Sequence, residues 1–456
     1  MSEVRFRVRS QAAKGDNMQV VYRRCCGLDV HKDSITATIL VFRDEGEREV
    51  RSKEFRTHWK DLQRLAQWLR SSLVECVAME STGVYWKPVW NVLEKTLRLV
   101  LANPYQIKNI PSQKTDRRDS VWIADLLAHG LIKPSFVPPP EIRQLRDLTR
   151  MRVQVTGEHT RVHNRIHKVL EDANIKLDTV LSDLLGVSGR GMLRGLIEGR
   201  TDPGWLADYG RGSLRGKRQE LELVLRGRVT EHHRYLLAEL MTELEFLEKR
   251  LARLDQQLSV CMQPFAAQVE RLCDIPGVEL LTAWTLIAEL GVDMSVFPDV
   301  AHAVSWAGLC PGNRESAGKR LSSRARKGNR WIRRALCQSA WAVTRKRNCH
   351  LTALFYRLTG RSGMKKAIVA VAHQILLTAF SILRDKTEYR ELGGDFFDQQ
   401  HPQRTRNRLV RRLERLGLQV VVTPAKPMPD PALQNRPRGR PCKCLERGID
   451  CKHKRS

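Results

Sequence analysis

Two apolar runs on either side of a short polar turn commit the start of this chain to a β-sheet. Gly27-Leu28-Asp29-Val30 leads into His31-Lys32-Asp33-Ser34, and the β-branched alternation Ile35-Thr36-Ala37-Thr38-Ile39 follows. Period-two alternation across a turn describes a hairpin, and this one presents the Asp29 carboxylate from the end of its first strand. Strands are expected at 25–30, 34–42 and 46–55, then a helix at 58–71 with Leu62, Leu65, Ala66 and Leu69 at helical spacing. Val74 to Met79 reads as an inner strand ending at Glu80. A helix at 85–94 and a strand at 97–102 follow, closed by Asn103-Pro104. Strands alternating with helices in this order argue for an α/β layered sheet covered by helices. Residues 1–24 are a polar extension that says little about structure.

The character changes after Pro138-Pro139-Pro140. Residues 141–173 read as a long helix carrying Arg143, Arg146, Arg150, Arg152, Arg161 and Arg165, and 231–260 as a second. In the second, Leu237, Leu240, Leu244, Leu247, Leu251, Leu254 and Leu258 alternate spacings of three and four. That pattern fits a coiled-coil seam and equally a core helix packed within the same chain. Residues 186–217, rich in Gly and Arg, read as an irregular connection. From Leu272 a mainly helical region begins, and Ile275-Pro276-Gly277-Val278 before an apolar run suggests a helix-hairpin-helix-like element. The resulting division is an extension at 1–24, a sheet domain at 25–135, a helical region with coiled coil at 136–262, a helical domain at 263–395 and a basic flexible tail at 396–456.

At 456 residues the chain has room for two or three cored domains. Its 79 basic against 50 acidic residues give a formal charge of +29, the electrostatic footprint of a nucleic-acid partner and far more than a metabolic enzyme requires. No amphipathic anchor or lipidation signal argues for a membrane surface. Residues 367–383, which contain His373 and Gln374, read as a buried helix. The eleven cysteines are expected as reduced thiols, and Met1-Ser2-Glu3-Val4-Arg5 lacks the apolar core of a secretory signal. Cytoplasmic, nucleoid-associated work follows from those two expectations and the charge. Residues 401–456 hold 15 Lys or Arg against 4 Asp or Glu, a composition suited to holding nucleic-acid backbone.

Three constellations carry possible chemistry. Glu80, Asp116 and Asp119 fall at element ends, as Asp29 does, and four converging carboxylates would suit divalent ions such as Mg2+ in phosphodiester chemistry. A helix beginning at Asp116 puts Asp116 and Asp119 on one face, with Lys108, Lys114, Arg117 and Arg118 alongside for nucleic-acid phosphates. Taken singly, each acid also fits a structural role: Asp116 as a helix cap, Glu80 as a solvated strand end, Asp29 as a turn former. The second constellation is Ser316 in a glycine-flanked loop with Arg314, Lys319, Arg320, Arg324, Arg326, Lys327 and Arg330 around it. Those surroundings suit a hydroxyl nucleophile at phosphorus, and equally a loop in which Ser316 donates one hydrogen bond to a phosphate. The third is Cys442, Cys444, Cys451 and His453, whose Cys-x-Cys start is tighter than the usual zinc knuckle.

Gly-Leu-Asp-Val-His-Lys at 27–32, Met-Glu-Ser-Thr-Gly at 79–83 and Lys-Thr-Asp-Arg-Arg-Asp at 114–119 resemble the N-terminal part of the IS110/IS1111-type transposases. Ile-Pro-Gly-Val at 275–278, Ala-Gly-Leu-Cys-Pro-Gly at 307–312, Glu-Ser-Ala-Gly-Lys-Arg at 315–320 and Lys-Gly-Asn-Arg at 327–330 resemble its C-terminal part. The resemblance spans about residues 25–395. It implies an RuvC-like, RNase H-type N-terminal domain with a DEDD set on Asp29, Glu80, Asp116 and Asp119, and a nucleophilic serine at Ser316 that joins covalently to DNA. It also implies a homo-oligomer, dimer or tetramer, that builds composite sites from different subunits, and in some members guidance by a structured RNA. Ala317 stands between the serine and Gly318, where many members have glycine directly. A metal-dependent nuclease or Holliday-junction resolvase, with water attacking, and a non-enzymatic nucleic-acid-binding protein are the competing classes.

Overall fold

The computed structural model describes residues 4–9, 19–43, 47–104, 116–312, 314–316, 319–322, 325 and 327–423; for 4–9, 47, 116–118, 314–316 and 319–322 it describes the backbone alone. Among the described residues, those up to 341 with 372–389 form one compact unit, and 342–371 with 390–423 form a second.

The first unit starts with a six-stranded mixed sheet: β1 (Val4–Arg9), β2 (Arg24–Val30), β3 (Ser34–Phe42), β4 (Glu47–Arg56), β5 (Cys76–Glu80) and β6 (Arg98–Ala102), in the order β1-β4-β3-β2-β5-β6. β1 to β4 pair antiparallel, while β2, β5 and β6 run parallel. β2 is central and buried on both faces, which is why it reads as the unbroken run Cys25-Cys26-Gly27-Leu28. Cys26, Leu28, Val77 and Met79 face a core built with α1 (Trp59–Ser71) and α2 (Trp86–Leu93). Cys25, Cys76 and Ala78 face the other core, made with α3 (Asp116–Ala128). The polar extension, for which the sequence names no element, supplies β1, whose Val-Arg-Phe-Arg-Val-Arg alternation is the pattern of an edge strand.

Two long helices follow, α4 (Pro140–Asp172) and, further on, α8 (Glu231–Met262), and they pack against each other. Ion pairs Arg152–Asp255, Arg165–Glu243 (3.7 Å) and His233–Asp172 (2.8 Å) fix them antiparallel. The leucine row of α8 is used within the chain: Leu237, Leu244 and Leu247 are buried against Val155, Val162 and Ile166 of α4, with Leu240, Leu251 and Leu254 partly buried on the same cluster. The segment expected to be irregular is helical instead, as α5 (Val187–Ile197), α6 (Pro203–Ala207), a 3-10 stretch at Gly212–Lys217 and α7 (Arg218–Val224). The glycines of α5 are sites of close packing. A Cβ on Gly189 would lie 2.0 Å from the Leu184 carbonyl oxygen, and one on Gly191 2.4 Å from the Tyr209 ring.

α9 (Ala266–Cys273) and α10 (Leu280–Leu290) flank the Ile275-Pro276-Gly277-Val278 turn, where Val278 N donates to Ile275 O at 2.9 Å and Gly277 takes φ +80°. α11 (Val300–Trp306), the hairpin β7 (Arg314–Ser316) and β8 (Lys319–Ser322), and α12 (Arg330–Val343) come next. The second unit holds α13 (His350–Ser362), α15 (Phe396–Gln400) and α16 (Pro402–Glu414), so part of the segment expected as a flexible tail is helical. Between them in sequence lies α14 (Met364–Asp385), the one helix among the described residues long and apolar enough to cross a membrane by length and composition. More than half of its apolar window is buried inside the protein, as expected for 367–383. The eight described cysteines are free thiols.

Candidate nucleic-acid processing site

The parallel register of β2 and β5 pairs Cys25 with Cys76 and continues to Leu28 with Met79. The next residue on each strand is Asp29 and Glu80, so two carboxylates stand at the carboxyl ends of neighbouring strands, roughly 5 Å apart along the sheet. Strand alternation assigns both to the face that carries Cys25, Gly27 and Ala78, which is the face covered by α3. Gly27 is what brings that helix in. A Cβ there would sit 2.2 Å from the Ser120 carbonyl oxygen and 2.5 Å from the Ala124 nitrogen, so helix backbone rests directly on strand backbone.

Other contacts fix the direction of α3. Cys25 Sγ donates to the Ala124 carbonyl at 3.3 Å, and Tyr22 N donates to the Ala128 carbonyl at 3.2 Å. Thr38 Oγ1 meets Ser120 Oγ at 2.8 Å and Ser52 Oγ at 2.9 Å, tying the helix to β3 and β4. The helix therefore runs antiparallel to β2, and its first turn, with Asp116 and Asp119, lies over the strand ends that carry Asp29 and Glu80. Burial pushes the Cys25 thiol up to about 12, so beneath the helix it packs as a small apolar group.

Asp29 pairs with His31, Nε2 to Oδ2 at 3.1 Å, and Thr82 Oγ1 donates to Glu80 Oε1 at 2.6 Å. Asp119 is half-buried, while Asp116, Arg117 and Arg118 are placed by backbone alone. Among the described residues no three His, Cys, Asp or Glu side chains are gathered closely enough to hold one ion. The donor chemistry nevertheless fits a hard divalent cation, since every acid offered is a carboxylate. Lys108, Lys114, Arg324 and Arg326 lie outside the described residues, as do Cys442, Cys444, Cys451 and His453.

Ser316 is the last residue of β7 and pairs with Lys319 of β8, so it stands at the tip of a hairpin. Glu315 pairs with Arg320, and Arg314 with Ser322 across a bulge. The hairpin leaves the domain through a tight neck. A Cβ on Gly328 would fall 2.3 Å from the Gly308 nitrogen, and Asn329 N donates to the Trp306 carbonyl at 3.0 Å. Lys327 and Arg330 are exposed at that neck, with the Arg330 guanidinium 4.6 Å from the Trp331 ring centroid.

Asn329 anchors the neck in two directions. Its Oδ1 caps α12 by accepting from Trp331 N at 2.9 Å and Ile332 N at 3.3 Å, while its Nδ2 donates to Glu289 Oε2 at 2.6 Å. Glu289 is wholly buried and also takes two hydrogen bonds from Arg150, at 2.7 and 2.8 Å, with Arg146 at 3.3 Å. Arg146 further donates to the carbonyls of Ala288 and Glu289. Burial lowers Arg146 to about 10, partly opposed by the Glu289 charge, and it stays protonated at neutral pH. This node joins α4, α10 and the root of the serine hairpin, and it was not among the expected site residues. One signal was available: a lone acid inside the apolar run of α10 requires a cation partner. The arginines of α4 are accordingly structural, for Arg143 binds Glu94 at 2.6 Å and Arg152 binds Asp255.

Comparison with known proteins bears on both halves of this arrangement. The family model of the DEDD transposases of the IS110 group, described as a transposase, matches residues 26–175. A second, described as the transposase IS116/IS110/IS902 family, matches residues 269–357. A probable family 20 transposase of Pseudomonas aeruginosa is 24% identical over 326 residues, covering 69% of this chain and 85% of that protein. An uncharacterized 43.6 kDa protein of the insertion element IS110 from Streptomyces coelicolor is 27% identical over 300 residues, covering 60% and 72%.

Proposed function

Starting from a chain that belongs to the IS116/IS110/IS902 family of DNA transposases, we propose that it excises and inserts an insertion sequence by forming a bond between Ser316 and DNA. The observation that carries this reading is the register that sets Asp29 beside Glu80 under the first turn of α3. The strand order β4-β3-β2-β5-β6, with β3 antiparallel to β2 and the last pairs parallel, agrees with an RuvC-like, RNase H-type fold for residues 25–135. Residues 136–262 then bridge to a serine domain at 263–395.

Asp29, Glu80, Asp116 and Asp119 would hold divalent metal, with Mg2+ the ion their oxygens suit, and such an ion supplies positive charge against the scissile phosphate. Ser316 Oγ attacks phosphorus; the Oγ–P bond forms, the P–O3′ bond breaks, and the strand leaves as a 3′-hydroxyl once it has taken a proton. A second 3′-hydroxyl reverses the step on the new partner, so the phosphodiester is conserved and no nucleotide cofactor is consumed. Lys319 opposite Ser316 and Arg320 opposite Glu315, with Arg314, Lys327 and Arg330, bring positive charge to the phosphate oxygens. Lys114, Arg117, Arg118, Arg324 and Arg326 extend that charge along the DNA backbone. The partners are DNA, further copies of this chain completing composite sites, and a structured guide RNA.

Excision assays on Asp119→Asn and Ser316→Ala test the assignment. Both substitutions are expected to abolish excision and insertion. If Ser316→Ala still cut DNA in Mg2+ while Asp119→Asn did not, water would be the nucleophile and the protein would act as a nuclease.

A further inference from the structure

The second unit carries a basic cleft remote in sequence from the residues given chemical roles above. One wall is α16, where Arg404, Arg408, Arg411 and Arg415 recur at spacings of four, three and four and so share one face of the helix and its last turn. None of the residues of α16 is buried. The stripe is about 16 Å long at the helical rise per residue. The facing wall is α13, which contributes Arg357 and Arg361 one turn apart, and Tyr356, 65% exposed. The Arg357 guanidinium lies 4.9 Å from the centroid of the Phe397 ring, which fixes its direction.

What separates this cleft from an ordinary solvated face is its missing counter-charge. The arginines of α4 each find a nearby acid, as Arg143, Arg150 and Arg152 illustrate. Here one carboxylate, Asp398, meets Arg408 at 3.3 Å, and among the described residues Arg404, Arg411 and Arg415 make no ion pair. Like charges on two facing walls repel one another unless a polyanion lies between them. A row of guanidinium groups at near-regular spacing matches a row of phosphates. An exposed tyrosine beside the row adds a surface on which an unpaired base stacks, which a duplex does not offer.

We infer that the cleft between α13 and α16 binds a single-stranded stretch of nucleic acid, its phosphates on the arginine stripe and a base on Tyr356. The site holds substrate or guide and takes no part in bond making, so its test stands apart from that of Ser316. DNA and RNA strands share this chemistry, and binding measurements distinguish them.

The experiment uses the full chain and fluorescein-labelled 20-nucleotide probes: single-stranded DNA, RNA of the same sequence, and the DNA duplex. Anisotropy titrations run from 50 to 200 mM salt compare the unaltered chain with the quadruple variant Arg404→Gln, Arg408→Gln, Arg411→Gln and Arg415→Gln. Glutamine has nearly the helix propensity of arginine and the helix is exposed, so the fold persists. The variant is expected to bind single strands at least about 10-fold more weakly, with a salt slope shallower by about 2 to 3, from roughly 0.7 per phosphate contact. Tyr356→Ala is expected to weaken single strands about 5- to 150-fold and leave the duplex unchanged. A larger loss on RNA or on DNA identifies which strand occupies the cleft. Unchanged affinity and slope in the quadruple variant would overturn the site, and equal losses on duplex and single strands would overturn its single-strand character.

Discussion

Replacing Gly27 by alanine tests whether the close approach of α3 to β2 sets the position of the acids. The added methyl would meet the α3 backbone at two points, 2.2 Å from the Ser120 oxygen and 2.5 Å from the Ala124 nitrogen, where ordinary contact begins near 3.4 Å. No flexible side chain can yield, so the helix must move outward by roughly 1 Å. Overpacking of this kind costs about 1 to 3 kcal/mol, and two simultaneous backbone clashes place Gly27→Ala at the upper end. A shift of about 1 Å in reacting groups costs on the order of 100-fold in rate. The assay is excision or strand joining on a supercoiled donor, at a temperature where thermal melting shows the variant fully folded. We expect a lower melting midpoint and a rate reduced about 100-fold among folded molecules. A folded variant with normal rate would show that Asp116 and Asp119 do not depend on this packing, and the acid assembly argued from the register would fail.

Two further outcomes follow from charged groups. Glu289→Gln removes the carboxylate shared by Arg146, Arg150 and Asn329, and breaking a buried pair in this way costs about 3 to 5 kcal/mol. Hydrogen exchange should then quicken at Trp331 and Ile332, whose amides Asn329 caps; joint replacement of Glu289, Arg146 and Arg150 by Met, Met and Leu should be milder than the single change. In the sheet, the hydrogen bond from Arg51, assisted by Arg43, holds Glu49 down to about 2. Its folded value lies below its unfolded one, so its contribution is complete above about pH 4.5 and is lost as pH falls towards 2. Acid unfolding of Glu49→Gln should therefore show a shallower decline across that window.

The sheet was legible because its strands are buried and bounded by turns, and β2 through β6 fall within two residues of where alternation and turn residues place them. Asp29 and Glu80 were legible as strand ends; that they are neighbours depends on pairing β2 with β5, a contact between distant segments that no local pattern encodes. Gly27 read as one residue of the apolar run of the first strand, and only the helix resting on it shows what its missing side chain permits. The glycines of α5 misled for the same reason, since glycine marks close packing as well as irregular chain. The leucines of α8 pointed outward to another chain or inward to α4 with equal force, and burial decided between them. Glu289 was hidden by the apolar residues around it, although its isolation among them was the clue.

The central claim is that Ser316, at the tip of a two-stranded hairpin, becomes joined to DNA. Its most direct measurement is denaturing electrophoresis, with mass spectrometry of the shifted band, after the protein meets a labelled element end in Mg2+. A DNA adduct on the peptide containing Ser316, absent from Ser316→Ala and from Asp119→Asn, is the predicted result. Strand cleavage by the unaltered chain with a free 5′-phosphate and no protein-linked DNA at any time would contradict it.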